Sequence, residues 1–438
     1  MRKYVKHIQI FLVALLMFTF TVPIHSAAAS GFKTEAESAI IVDFNTGKIL
    51  YAKNEDEALP PASMTKMMTE YIVLEKIAAG EVDWDTKTEV SDFVYEISAN
   101  KDFSGIGLRK NVEYTVKELF DAMVINSDNA TSIALAELIA GSEGEFVKLM
   151  NAKAEEIGLT HSKFVNTTGL DNHSLKGKHP EGTKADDTNL LSARDAARLA
   201  YHLINDFPES LEVSSMVSKD FEDHTIPNWN WMLPHDSVNL KQFYYEGVDG
   251  LKTGHTDLAK FAFTSTAKRD DVRLITVVMK TDSMEARFIE TAKLLDYGFD
   301  KFEVVELFPA GFTKAEASTI PVAKGKEDSV EVALAEAMSL KINKASEEDY
   351  DVVFEMDEEL VNQDGELTAP LEKGQKVGVA KLVYKDSTAI PHITNEKQEV
   401  TVDVVTTEEV QKKNWFSLML SSIGNVFSSL GAKIKNIF

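Results

Sequence analysis

A serine becomes a useful nucleophile only with a base beside it, and the stretch Pro60-Pro61-Ala62-Ser63-Met64-Thr65-Lys66 offers one at helical spacing. Residues i and i+3 lie on one helix face, so the Lys66 amine can meet the Ser63 hydroxyl. A buried lysine with a lowered pKa can take the serine proton, and a helix N-terminus adds N–H donors and positive potential near the serine oxygen. Ser-x-x-Lys also occurs at Ser30/Lys33, Ser98/Lys101 and Ser265/Lys268. Ser265 lies in a predicted strand, where i and i+3 face opposite sides. Ser98 falls in a stretch with no clear helical pattern, and Ser30 sits at the expected new N-terminus left by removal of a leader segment. Ser63 keeps the best geometry. Two more polar motifs stand out. Ser127-Asp128-Asn129 occupies a tight loop between two predicted helices, where Asp128 or Asn129 also suits a helix cap. Lys252-Thr253-Gly254-His255 occurs once, on an extended segment that also reads as a polar edge strand ending in a glycine turn.

The elements that must position these groups can be read locally. Ala39-Ile40-Ile41-Val42 and Lys48-Ile49-Leu50-Tyr51 flank Asn45-Thr46-Gly47, a hairpin signal. A helix is predicted from Ser63 through Leu74 and Ile77 to Gly80. Two more follow at about 115–125 and 130–140, closed by Gly141. Phe261–Thr266 and Arg273–Met279 bracket Asp270-Asp271 as a second hairpin. Strands at both ends with helices between predict an α+β unit over 33–300, an antiparallel sheet flanked by helices. From about Glu303 the texture changes: Asp351–Phe354, Lys376–Tyr384 and Glu399–Val405 are strand-like runs separated by turns. A small β-rich domain over 303–408 is predicted, its acidic character suiting a solvated surface.

The whole chain of 438 residues has 46 Lys and Arg against 70 Asp and Glu, a net charge of −24. That balance repels phosphate backbones, so nucleic acid is not an expected partner. Cysteine is absent, which excludes disulfide scaffolds, thiolate nucleophiles and iron–sulfur clusters. His161, His173 and His179 lie near one another but form no His-x-x-x-His pair with supporting acids, so no metal and no other cofactor is expected.

Both ends carry targeting signals. Residues 1–29 begin with Arg2, Lys3 and Lys6, continue through an apolar run from Ile10 to Phe18, and end in Ser26-Ala27-Ala28-Ala29. This is the pattern of a cleaved secretory signal peptide, and export without cysteine suits a Gram-positive cell surface. Residues 411–438 lack Asp and Glu and place Phe416, Leu420, Ile423, Phe427, Leu430, Ile434 and Phe438 on one helical stripe. The stripe is broken too often to span a bilayer. Trp415 and the flanking lysines predict an in-plane amphipathic anchor on the outer face of the cytoplasmic membrane.

Ser63-x-x-Lys66, Ser127-Asp128-Asn129 and Lys252-Thr253-Gly254 together form the motif set of penicillin-binding proteins and class A β-lactamases. The chain resembles the low-molecular-mass penicillin-binding proteins, specifically the D-alanyl-D-alanine carboxypeptidases of serine peptidase family S11. The resemblance spans signal, catalytic domain, β-rich domain and anchor. Asn166-Thr167-Thr168-Gly169-Leu170, Ser192-Ala193-Arg194-Asp195 and the stretch around Glu285-Ala286-Arg287-Phe288 match as well. It implies a serine β-lactamase-like fold and removal of the terminal D-alanine from peptidoglycan stem pentapeptides, with β-lactams as covalent inhibitors. Ser63 would attack the carbonyl between the last two D-alanines and form an acyl-enzyme. Lys66 would accept its proton, Ser127 would relay a proton to the leaving amine, and Asn129 would hold the peptide amide. Lys252 would supply positive charge beside Lys66, and Thr253 and Arg287 would bind the terminal carboxylate. The backbone N–H groups of Ser63 and His255, the latter following Gly254, would form the oxyanion hole. A class A-like β-lactamase would need a deacylating glutamate, and Asp186-Asp187-Thr188-Asn189-Leu190 lacks the Glu-x-x-Leu-Asn pattern. A non-catalytic wall-binding scaffold is the remaining alternative, and the complete motif set speaks against it.

Overall fold

The computed structural model describes residues 32–315, 317–385, 392–394 and 400–414. The expected signal peptide, Ser30 and the anchor helix beyond Asn414 lie outside the described residues. Among the described residues, no helix is long and apolar enough to cross a membrane. The chain divides into two compact units, Met1–Asp43 with Ile49–Leu294, and Phe44–Lys48 with Leu295–Phe438.

The first unit is built on five antiparallel strands: β1 (Ser38–Asp43), β2 (Ile49–Lys53), β3 (Val248–Thr256), β4 (Lys260–Arg269) and β5 (Val272–Thr281), in the order β2-β1-β5-β4-β3. Strand β1 is buried along its whole length, which is why Ala39-Ile40-Ile41-Val42 is a continuous apolar run and not an alternating one. It pairs with β5 in the register Ile40↔Val277. Strand β3 has a neighbour on one side only, so its Lys252-Thr253-Gly254 segment is an edge, as the sequence suggested.

The helices are α1 (Lys66–Ala78), α2 (Asp92–Ser98), α3 (Val116–Asn126), α4 (Asn129–Ala140), α5 (Glu143–Glu156), α6 (Ala193–Asp206), α7 (Ser210–Ser214) and α8 (Met284–Lys301). Helix α4 is buried on every side from Asn129 to Ala136, the signature of a helix inside the core. Its start is set by Asp128, whose side chain accepts from the Thr131 N–H at 2.6 Å, and α3 opens on a capping box between Thr115 and Glu118. Helix α6 packs on β5 and β1. Two sequence expectations need correction. Ser98 ends a real helix, too short for its periodicity to stand out, and its hydroxyl accepts from the Leu108 N–H at 2.7 Å. Ser63 lies in a 3₁₀ turn, Ala62–Thr65, and the α-helix begins only at Lys66.

The second unit contains β6 (Phe302–Phe308), β7 (Thr319–Ala323), β8 (Ser329–Leu334), β9 (Met338–Asn343), β10 (Tyr350–Met356), β11 (Leu367–Thr368), β12 (Lys376–Tyr384) and β13 (Thr401–Thr406). Six form a sheet in the order β10-β12-β13-β8-β7-β11, and β6 pairs with β9. Its core includes Val330, Val332, Leu334, Val352, Val377, Ala380 and Val404, the inward half of alternating strands. Lys48 donates to the Tyr350 hydroxyl in this unit.

Candidate active site

The 3₁₀ turn that carries Ser63 is held in an uncommon backbone conformation. Ala62 has φ +48°, in the left-handed region that non-glycine residues rarely enter. The main chain of Gly169 presses against it: a Cβ at that glycine would fall 1.8 Å from the Ala62 carbonyl oxygen. From β3, Gly254 closes in equally, and its Cβ would meet the Pro61 carbonyl oxygen at 2.4 Å. Met64 is fully buried, and its sulfur accepts from the Thr264 hydroxyl. Ser63 itself remains partly exposed.

Lys66, only 1% exposed, is the hub. Its Nζ lies 3.0 Å from Ser63 Oγ, 2.9 Å from Asn129 Oδ1 and 2.6 Å from the Thr168 carbonyl oxygen. The Asn129 amide is oriented by its Nδ2, which donates to the Ser104 carbonyl at 3.2 Å. Asn129 Oδ1 and the Thr168 oxygen can only accept. A neutral amine would spend its two N–H bonds on them and turn its lone pair to the Ser63 hydroxyl. Burial pushes Lys66 well below the usual lysine range and the charge of Lys252 pushes the same way, while Asp128 opposes.

The Thr168 carbonyl is fixed from behind. Asn166 Oδ1 accepts from the N–H groups of Thr168 and Gly169 and from the Thr168 hydroxyl. Glu143 accepts from both the N–H and the hydroxyl of Thr167. Asp128, given no role from sequence, is fully buried, accepts from the Ile106 and Thr131 N–H groups and acts on Lys66 by its charge.

Lys252 is buried on β3, and burial, joined by the Arg287 charge and opposed by Glu70, lowers it to about 7. Glu70 lies on α1 one turn beyond Lys66, and burial raises it to about 8 against the pull of Lys252. Arg287, on α8, donates to the Gly254 carbonyl at 3.2 Å and lies over the Phe288 ring. Burial lowers it to about 10, and its Nε has no partner among the described residues. The His255 ring stacks on Phe261 with centroids 4.2 Å apart, outside the buried run Gly250–Gly254. Thr253 is buried between Lys252 and Gly254.

The structure therefore joins Ser63, Lys66 and Asn129 by direct contacts, Lys252 to them by charge, and Arg287 to Gly254 by a hydrogen bond. Ser127 is held at φ +62° as the C-cap of α3, two residues before Asn129. Among the described residues its hydroxyl makes no hydrogen bond to Ser63, Lys66 or Lys252. Sequence reasoning missed Glu70, whose only signal was a carboxylate four residues after Lys66 on the buried first half of α1. The Thr168 carbonyl had no signal beyond the matching Asn166–Leu170 stretch, since a main-chain group carries no residue identity.

Comparison with known proteins agrees with this arrangement. The family model described as D-alanyl-D-alanine carboxypeptidase matches residues 24–283, and that of the penicillin-binding protein 5 C-terminal domain matches residues 302–412. The D-alanyl-D-alanine carboxypeptidase DacF of Bacillus subtilis is 34% identical over 85% of this chain and 88% of its own. The crystal structure of a peptidoglycan synthesis regulatory factor (PBP3) from Streptococcus pneumoniae superposes with a TM-score of 0.68 at 35% identity, over 86% of this chain and all of that one. Penicillin binding protein 5 from Haemophilus influenzae gives 0.61 at 27% identity, over 88% of this chain and 100% of that one. With the family model covering more than half of its length and the serine–lysine contact in place, the chain belongs to the D-alanyl-D-alanine carboxypeptidases of serine peptidase family S11, the low-molecular-mass penicillin-binding proteins.

Proposed function

We propose that this protein is a serine-type carboxypeptidase that removes the terminal D-alanine from peptidoglycan stem pentapeptides, with Ser63 as nucleophile. The contact that carries this reading is Lys66 Nζ, 3.0 Å from Ser63 Oγ with two pure acceptors at its other positions. Lys66 takes the Ser63 proton as Oγ attacks the carbonyl of the D-Ala–D-Ala bond. The oxyanion is met by the N–H groups of Ser63 and His255; such a donor contributes about 3–4 kcal/mol. Collapse breaks the C–N bond, and Ser127 passes a proton to the leaving amine. Water then attacks the acyl-enzyme, with Lys66 again as base, releasing the shortened peptide and free Ser63. Asn129 holds the peptide amide, while Lys252, Thr253 and Arg287 receive the terminal carboxylate, Arg287 with two parallel hydrogen bonds. A β-lactam follows the same first half and leaves Ser63 acylated.

The protein is exported to the cell wall. The finer placement we propose is the outer face of the cytoplasmic membrane, with residues 1–29 removed and the 411–438 helix lying in the headgroup layer; the lysine-bearing, acid-free composition supports it.

Fluorescent penicillin labelling of the purified chain, with mass spectrometry of a stem pentapeptide, tests the reaction. The expected result is one covalent label and loss of one alanine from the peptide, both abolished by Ser63→Ala. Lys66→Arg, whose guanidinium cannot act as a base, should lower both rates by about 10²- to 10⁴-fold. No label and no alanine release with Ser63 intact would overturn the reading.

A further inference from the structure

The hydroxyl that is to protonate the leaving amine sits on a residue with a strained main chain. Ser127 has φ +62° and ψ +29°, in the left-handed region that serine rarely enters, and such a conformation persists only where its surroundings enforce it. None of the hydrogen bonds among the described residues involves the Ser127 hydroxyl, so its direction is set by the main chain. On one side the Ser127 and Asp128 N–H groups donate to the Ala122 carbonyl, and the Asp128 carboxylate is fixed by the Thr131 and Ile106 N–H groups. The other side is the peptide that joins Asn126 to Ser127. Its carbonyl is one of the four that end α3 without a helical partner. The group that meets it comes from 103 positions away: Trp229 Nε1 donates to the Asn126 oxygen at 2.9 Å. A hairpin, Ser218–Phe221 with His224–Pro227, packs against α3 and brings the tryptophan there. Lys219 pairs with the buried Asp121 of α3, and Asn126 Nδ2 donates to the Pro227 carbonyl at 3.1 Å. Beyond the hairpin the usual polarity is inverted: Asn228 and Asn230 are buried, while Trp229 is 37% exposed. Asn228 spends its Nδ2 on the Ser214 and Met216 carbonyls and its Oδ1 on the Asn230 N–H. That anchors the loop and leaves the indole over the end of α3.

We propose that Trp229 is a positioning residue for proton delivery: its indole N–H holds the Asn126 carbonyl and thereby keeps Ser127 in the conformation that aims its hydroxyl at the leaving amine. The inference rests on the role given above to Ser127 as proton relay. Trp229 acts through the Asn126–Ser127 peptide and not on the reacting atoms. That peptide is gripped at both ends, its oxygen by Trp229 and its N–H by Ala122. Released at the oxygen, it can turn, and Ser127 then relaxes out of the left-handed region. The step that suffers is collapse of the tetrahedral intermediate. As the C–N bond breaks, its electron pair stays on nitrogen, which takes the Ser127 proton. The proton that Lys66 accepted from Ser63 replaces it on Ser127. An amine cannot leave as an anion, so cleavage of the peptide depends on this transfer. A thiolate, whose thiol has a pKa of about 8.5, departs without it.

The test compares kcat/KM on the full chain for a stem-peptide analogue ending in D-Ala–D-Ala and for its thioester counterpart ending in D-Ala–thiolactate. Trp229→Phe keeps an aromatic ring and loses the N–H. It should lower kcat/KM by about 10- to 100-fold for the peptide and by less than about threefold for the thioester. Both rates are read on one sample, so any unfolded fraction cancels from their ratio. Trp229→Met, which also lacks a donor, replaces Trp229→Phe if melting curves show the latter wholly unfolded. Trp229→Gln, which keeps an N–H donor and loses the ring, should hold the peptide-to-thioester ratio near wild type. In Ser127→Ala the ratio should fall as far or further, and adding Trp229→Phe to it should lower the ratio no more. A wild-type ratio in Trp229→Phe overturns the proposal, whether both rates are kept or lowered together, because a merely structural role affects the two substrates alike. A fall in Trp229→Gln equal to that in Trp229→Phe, or a further fall in the double variant, overturns it as well. Ser127→Ala with an unchanged ratio would instead overturn the proton-relay role on which the inference rests.

Discussion

Gly169→Ala should damage the site out of proportion to one methyl group. Gly169 has φ +86°, and its added Cβ would lie 1.8 Å from the Ala62 carbonyl oxygen, 2.2 Å from the Ala62 carbonyl carbon and 2.8 Å from the Ser63 nitrogen. Non-bonded heavy atoms need about 3.5–4.0 Å, so the two main chains must part by roughly 1.5 Å or more. All three obstructing atoms are backbone, and no side-chain rotation relieves them. The left-handed conformation adds about 1–2 kcal/mol and the overpacking about 1–3 kcal/mol, for a loss of roughly 2–5 kcal/mol. Because the displaced segment carries Ser63, and a shift of about 1 Å in a reacting group lowers rates by about 10²-fold, acylation should fall by that order. Gly80→Ala is the control: φ is +69°, with nothing within 4 Å of the new Cβ. It should lose only the conformational part and acylate normally. Urea unfolding and the rate of penicillin acylation, measured on both variants, check this. Equal stability losses, with Gly169→Ala acylating at the wild-type rate, would refute the idea that close backbone approach positions the nucleophile.

Two further outcomes follow from the same network. Asn166→Ala leaves the N–H groups of Thr168 and Gly169 and the Asn189 amide without their shared acceptor. At about 1–3 kcal/mol for each buried donor orphaned, it should lose at least about 3 kcal/mol in urea unfolding and acylate slowly, since the Thr168 carbonyl no longer holds Lys66. Lys66→Met tests the lowered lysine through stability. The folded value lies well below the ordinary 10.5, so across that interval the unfolded chain binds the extra proton and wild-type stability rises with pH. The variant lacks this term, and its stability relative to wild type should decline as pH is raised from about 7 to 10.5. Parallel stability–pH curves would show that Lys66 is not lowered.

Where structure follows local pattern, the sequence was legible. The hairpin of β1 and β2, the hairpin of β4 and β5, helices α3 and α4 with their polar caps, and the long strand β12 all announce themselves within a dozen residues. Ser63 and Lys66 are close in the chain, so their meeting needed only a helical or 3₁₀ turn, and either turn brings i and i+3 together. The seven-residue helix Asp92–Ser98 escaped because two turns show little periodicity. The grouping of Phe44–Lys48 with the second unit also escaped, since nothing in a turn's residues says which core it joins.

The amino-acid sequence alone determined which chemical groups exist and which of them lie close along the chain: a hydroxyl and an amine three residues apart, a Ser-Asp-Asn loop, a Lys-Thr-Gly strand, a glutamate four residues after the lysine. Only the tertiary structure decided what those groups are chemically. The Thr168 carbonyl reaches Lys66 across 102 positions of chain, and Gly169 and Gly254 press on the turn before Ser63 from separate segments. Glu70, Lys252 and Arg287 lose their ordinary proton affinities together because burial and neighbouring charge act on all of them. Proton affinity depends on solvent exclusion and on distance to other charges, and both come into being only when distant parts of the chain pack.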